Sequence, residues 1–262
     1  MAISCGLVAK RTNEAALDLA LEIRRFLISR GVTVFPEEDI ASARGLGEGR
    51  PLEQLYADFI VTVGGDGTVL KTCLKVPKPD TPILAVNMGR RGYLAGNYRL
   101  DRHSRISASF GGKHLGDGLN EVLITSPSPY KMIHIRLTLD EGESTELSAD
   151  GLIISTPTGS TAHAFSAGGP ILHPFISAFN IVFICPLEPI RSIIVPDNRR
   201  IKVGVGENTP ALVTIDGALN ETIPPGSEIQ LRKADHDAVF VRFGESFFSK
   251  SLSRLISRGV KA

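Results

Sequence analysis

FIVTVGGDGTVLK, residues 59–71, decides how the chain is read. Phe59–Val63 is apolar and partly β-branched, the mark of a short buried strand. Gly64 and Gly65 end it, and Val69 and Leu70 begin a helical pattern for which Thr68 is the expected cap. A strand running through a tight glycine turn into a helix is the repeating unit of a parallel α/β sheet. The flanking sequence keeps that rhythm. Ile3–Ala9 reads as a strand. Residues 14–30 read as a helix opened by Asn13, with Ala16, Leu17, Ala20, Ile23 and Leu27 as its apolar stripe. Gly31 stands where a left-handed residue closes a helix. Val32–Phe35 is a second strand, and residues 36–51, with four acidic residues and three glycines, read as an exposed loop. Ile83–Asn87 is a further strand entering a glycine-rich turn. These elements predict a Rossmann-like α/β domain over residues 1–100.

Beyond residue 100 the period changes. Thr, Val and Ile runs recur at 130–139, 145–154, 179–185, 190–195, 199–205, 210–215, 228–233 and 238–243, divided by turn signals such as Pro224-Pro225-Gly226. This predicts a β-sandwich over residues 101–244. A helical pattern with Phe247, Phe248, Leu252, Leu255 and Ile256 returns in the tail, and 245–262 is expected to pack back on the first domain.

The 262 residues carry 29 Lys and Arg against 28 Asp and Glu, which excludes the strong basic footprint of a nucleic-acid or anionic-membrane binder. Cys5, Cys73 and Cys185 are too far apart for a disulfide framework or a cysteine-rich zinc site. Cys5 and Cys185, within apolar runs, read as small buried hydrophobes. The longest apolar stretch, 179–187, is too short to span a bilayer, and the N-terminus lacks the pattern of a signal peptide. A cytoplasmic protein is expected.

The glycines gather around chemistry. In GGDGT, 64–68, bare backbone and a helix N-terminus suit phosphate. Asp66 would repel an anion, so it points to a hydroxyl to be oriented or deprotonated, or to a Mg²⁺ ion to be held. DGLIISTPTGSTAHAFSAGGPIL, 150–172, concentrates hydroxyls and glycines suited to a ligand rich in hydrogen-bonding groups, and Asp150 can accept from an amine or a ribose. LNEVLI, 119–124, places the polar pair Asn120-Glu121 at the entry to an apolar strand, where polar groups must be satisfied or functional. NMGRRGYLA, 87–95, follows a strand end, where open α/β sheets bind ligands.

Taken together, GGDGT, NMGRRGYLA, LNEVLI and the long Ser/Thr/Gly segment resemble the NAD kinase family over nearly the whole chain; GGDGT alone is shared with diacylglycerol and sphingosine kinases and phosphofructokinase. The resemblance implies phosphorylation of the adenosine 2′-hydroxyl of NAD, with ATP or polyphosphate as donor and Mg²⁺ or another divalent metal as cofactor. It also implies a homodimer or homotetramer. It assigns Asp66 as the catalytic aspartate and Gly64, Gly65, Gly67 and Thr68 as the phosphate-side loop. It assigns Asn120 and Glu121 to the adenosine moiety, and Asp150, Thr161, Ala162 and Ser166 to the dinucleotide site. Tyr93 stands where the family usually has Phe. His163 stands where it commonly has Tyr, and is expected to pack against the dinucleotide rather than act as a base. The motifs name no metal ligands. Two other readings are a lipid kinase, which would want an exposed apolar or basic membrane face, and a non-catalytic NAD(H) sensor, which would have little use for Asp66.

Overall fold

The computed structural model describes residues 3–87, 98–128, 130–140, 142 and 144–243. Tyr93, most of the NMGRRGYLA segment and the 245–262 tail lie outside them. The chain divides into two compact units, one spanning residues up to Arg102 together with Ala238–Phe243, the other His103–Asp237.

The first unit runs β1 (Ser4–Ala9), α1 (Glu14–Ser29), β2 (Thr33–Pro36), α2 (Glu38–Arg44), β3 (Phe59–Gly64), α3 (Asp66–Lys75), β4 (Ile83–Asn87) and β5 (Tyr98–His103). Asn13 caps α1 by accepting from the Ala16 amide at 3.1 Å, and Gly31 follows it at φ 78°. Ala16, Leu17 and Ala20 bury against Cys5, Leu7, Val61 and Val63 of the sheet. Burial pushes the Cys5 thiol up to about 12, which suits an inert core residue. The acidic stretch expected as loop contains α2. Its first turn carries Glu38 and Asp39, Ile40 and Ala41 face the core, and Gly45 ends it at φ 61°. Thr68 does not cap α3: Gly65 is the N-cap and makes no side-chain bond, so Thr68 lies inside the first turn.

The second unit contains β6 (Ile106–Phe110), β7 (Lys113–Gly118), β8 (Glu121–Thr125), β9 (Ile133–Leu139), β10 (Ser144–Ala149), β11 (Gly151–Ser155), α4 (His163–Ser166), β12 (Ala178–Ile184), β13 (Ile193–Pro196), β14 (Ile201–Val205), β15 (Ala211–Ile215), β16 (Leu219–Ile223) and β17 (Glu228–Lys233). The strands form two six-stranded sheets, β10-β9-β14-β17-β6-β7 and β13-β12-β11-β8-β15-β16. Their alternating apolar residues, among them Val122, Ile154, Ile181, Val203 and Ile229, share one core. The run 145–154 is two strands that part at Asp150 into opposite sheets. β18 (Ala238–Phe243), which the strand pattern assigned to the sandwich, pairs in parallel with β4 instead, giving the first sheet the order β2-β1-β3-β4-β18-β5. Cys185 is not buried. β12 ends at Ile184, and Cys185 turns out of it at φ 45° into solvent.

Candidate active site

In the first sheet, β1 has β2 on one side and β3 on the other, so the strand order reverses between β1 and β3. Open α/β sheets hold ligands at the carboxyl ends of the strands flanking such a point. There the chain leaves β1 through Lys10, Arg11 and Thr12 and leaves β3 through Gly65 and Asp66. A cleft of about 280 Å³ opens between them, lined by Lys10, Arg11, Thr12 and Gly65 together with Asp39, Gly67, Thr68 and Lys71.

GGDGT divides its glycines by task. A Cβ on Gly64 would sit 2.5 Å from Thr68 Oγ1, so Gly64 lets α3 close onto the strand. Gly65 and Gly67 are exposed and open and leave the first turn of α3 uncovered by side chains. Asp66, the first residue of α3, is exposed.

Three cations line this cleft: Lys10, Arg11 and Lys71. No sequence motif marks them: Lys10 and Arg11 follow β1, and Lys71 lies sixty residues further on in α3. Lys71 donates to Glu37 Oε1 at 3.2 Å and to Asp39 Oδ2 at 3.1 Å, and Arg11 lies 3.6 Å from Asp39. Glu37 is buried, and burial pushes its carboxyl above the usual range against the pull of Lys71. Burial draws the Lys71 ammonium down, but its bonds to Asp39 and Glu37 win and hold it above its ordinary value. Lys71 is thus a fixed cation facing a glycine turn and a helix N-terminus, an arrangement suited to phosphate oxygens.

The second unit gathers the other candidates. Asn120 leads into β8, and Glu121 begins it. Glu121, Ser155 and Asn180 are cross-strand neighbours on β8, β11 and β12, and all three are buried. Glu121 Oε2, Ser155 Oγ and Asn180 Oδ1 have no hydrogen-bond partner among the described residues. Leaving such a group unmade costs about 1–3 kcal/mol, so a row of three suits a ligand or water bringing its own hydroxyls. Burial, with the Asp216 carboxylate beside it, raises Glu121 to about 7.

The Ser/Thr/Gly segment folds against Asn120. The Thr156 amide donates to Asn120 O at 2.8 Å, its hydroxyl donates to Leu119 O at 2.6 Å, and the Gly159 amide donates to that hydroxyl at 3.1 Å. A Cβ on Gly159 would fall on the Asn120 carbonyl. Ser160 Oγ accepts from Leu172 N at 2.9 Å and donates to Pro157 O at 2.7 Å, tying both ends of the loop. Three of the segment's six hydroxyls, those of Thr156, Ser160 and Thr161, are therefore spent on its own shape. Thr161 and Ala162 are half-buried, while His163, Ser166 and Asp150 are exposed. His163 opens α4, one turn long.

Two family models match the chain: the ATP-NAD kinase N-terminal domain over residues 5–105 and the ATP-NAD kinase C-terminal domain over 119–243. The NAD kinase of Methanothermobacter thermautotrophicus is 34% identical over 97% of both chains, and that of Thermococcus kodakarensis is 36% identical over 97% of this chain and 99% of its own. An NAD kinase from Archaeoglobus fulgidus, solved in complex with ATP, aligns over 96% of this chain and 99% of its own with a TM-score of 0.72 and 28% identity. Yeast NADH kinase complexed with NADH shares the fold, with a TM-score of 0.85 over 98% of this chain and 88% of its own at 21% identity. The sequence resemblance, the two domain models and the long relatives agree, and the chain belongs to the ATP-NAD kinase family.

Proposed function

We propose that Asp66 orients and deprotonates the adenosine 2′-hydroxyl of NAD while Lys71, Lys10, Arg11 and the N-terminus of α3 hold phosphate. The observation that carries this is an exposed carboxylate that opens α3, next in sequence to Gly65 and Gly67 of a cleft lined by three cations. A carboxylate there weakens anion binding, so its use is to take a proton or to hold a divalent ion beside the phosphates. The reaction is the family's, NAD to NADP. The 2′-oxygen forms a bond to the donor's terminal phosphorus, the bond to the leaving diphosphate breaks, and the hydroxyl proton passes to Asp66 and then to water. Catalysis of this kind rests on positioning and charge neutralisation.

Among the described residues no cluster of three or more His, Cys, Asp or Glu can hold a metal. Mg²⁺ that serves a phosphate donor needs only one or two protein carboxylates beside the donor's phosphates. Asp66 is the carboxylate that suits it, and Mg²⁺ would supply charge neutralisation there.

Asn120 and the buried Glu121 take the adenosine side in this reading. Asp150, Thr161, Ala162 and Ser166 take the rest of the dinucleotide, as the resemblance implies; Tyr93 is carried over on the resemblance alone. So is a homodimer or homotetramer, while cytoplasmic residence is the reading of the sequence; among the described residues no helix is long and apolar enough to cross a membrane. GGDGT is shared with lipid kinases, but the C-terminal domain match sets that reading aside, and a sensor leaves Asp66 unused.

The test is NADP formation from NAD, ATP and Mg²⁺ by parent and Asp66→Asn. We expect kcat to fall about 10²–10⁴-fold with KM for NAD little changed. Near-parental turnover in Asp66→Asn removes Asp66 from the mechanism.

A further inference from the structure

The strongest unassigned feature of the second unit is a carboxylate that lies beside the Glu121 carboxyl and holds the backbone beneath it. Asp216 Oδ2 accepts from the Leu119 amide at 2.6 Å, and its Oδ1 accepts from the amides of Asn120 at 2.8 Å and Glu121 at 3.0 Å. The Asp216 amide donates in return to Glu121 O at 3.1 Å. We propose that Asp216 is a positioning residue for the adenosine half of the dinucleotide, fixing the turn from which Asn120 and Glu121 are presented. This rests on the reading of Asn120 and Glu121 given above.

Three observations separate this from ordinary sheet cohesion. First, β8 and β15 are already joined in register from Leu212 to Ile215 against Val122 to Thr125, so the sheet does not need the carboxylate. The side chain acts one step earlier, on Leu119 and Asn120 and on the first residue of β8. Second, Asp216 adopts φ 49° and Gly217 φ 68°. That left-handed pair is disfavoured for most residues, and Asp tolerates it. It turns the chain back so that the carboxylate reaches the amides. Third, the residues it holds brace the glycine loop. Leu119 O and Asn120 O accept from the Thr156 hydroxyl and amide, so one carboxylate fixes the turn on which both site segments converge. Three amides on two oxygens are best served by a full negative charge. Burial raises the Asp216 carboxyl against the pull of those three amides and of Arg105, itself buried with its Nη2 donating to the Asp117 carbonyl.

Asp216→Asn keeps the size but loses the charge and turns an N–H toward one of the three donors. We expect KM for NAD to rise about tenfold or more, the effect of about 1.4 kcal/mol in binding. We expect kcat at saturating NAD to stay within about threefold, because Asp66 and the phosphate side are untouched. KM for ATP should not move. Asp216→Glu, which restores the charge, should recover part of the NAD affinity. A purely structural role would instead lower the melting temperature and the active fraction, with KM for NAD unchanged, and that result overturns the proposal. Should Asp216→Asn not fold, Gly217→Ala keeps the carboxylate and strains the turn that aims it. A rise in KM for NAD of about threefold there supports the clamp, and an unchanged KM in a folded Gly217→Ala overturns it. Glu121→Gln, run alongside, separates the two failures. An unchanged KM for NAD in Glu121→Gln sinks the assignment of the adenosine side. A raised KM there beside an unchanged one in Asp216→Asn sinks only the clamp.

Discussion

Replacing Gly159 with alanine tests how the glycine loop is built. The added Cβ would land on the main-chain carbonyl of Asn120, and that carbonyl has nowhere to go: its oxygen accepts from Thr156 and its own amide is held by Asp216. The loop must lift away, and the Thr156 amide loses its acceptor. Overpacking of this kind costs about 1–3 kcal/mol and the lost hydrogen bond about 0.5–1.5, so the total is about 2–4 kcal/mol. At about 2–4 °C per kcal/mol, the melting temperature followed by circular dichroism should fall by roughly 4–16 °C. KM for NAD should rise in the same protein, since the segment that moves carries Thr161 and Ala162. A melting temperature within about 1 °C of the parent, with KM unchanged, would refute the close packing of Gly159 on Asn120 and the coupling of loop to turn.

Other expectations follow from the same geometry. Glu121 titrates near 7 in the fold against an ordinary 4.5, so it stays protonated in the folded state after the unfolded chain has ionised. Stability should therefore be full below about 4.5, fall by on the order of 3 kcal/mol as pH rises to about 7, and level off above; Glu121→Gln should flatten that slope in urea titrations across the window. Lys71→Met strands the buried Glu37 carboxylate and should cost about 1–3 kcal/mol in thermal unfolding, part of which Glu37→Gln in the same chain should return. His163 is exposed, so His163→Tyr should keep most activity and His163→Ala should mainly raise KM for NAD. A collapse of kcat in His163→Tyr would make the imidazole a chemical participant.

The parts legible in the sequence were those where pattern and packing coincide. α1 showed its stripe, its Asn13 cap and its Gly31 stop, and β3 announced itself by an apolar run ending in glycines. α2 stayed hidden because seven residues make two turns at most and only Ile40 and Ala41 face inward. β10 and β11 ran together because the break at Asp150 is a change of sheet rather than a polar gap. Strand pattern records which face is buried but not which sheet a strand joins, so β18 was grouped with its neighbours in sequence. Lys10 and Lys71 carried no motif, yet a signal existed: Lys10 directly follows the β1 strand, at the switch point that the strand order defines. Asp216-Gly217 between apolar runs reads as a hairpin turn, and nothing in that dipeptide tells of the three amides on its carboxylate.

The return of β18 to the first sheet bears on how the chain is made. Residues 103–237 form a contiguous unit, whereas β4 waits for a neighbour roughly 150 residues downstream. At about 5–20 residues per second, that wait lasts about 8–30 s on the ribosome. During it β4 presents an unpaired, largely apolar edge, the kind of surface that invites pairing with another chain. The later-synthesised sandwich can close first, so the order of folding runs against the order of synthesis. A nascent chain stalled before Ala238 would carry a finished sandwich on an unfinished nucleotide fold, and that species is the one expected to need a chaperone.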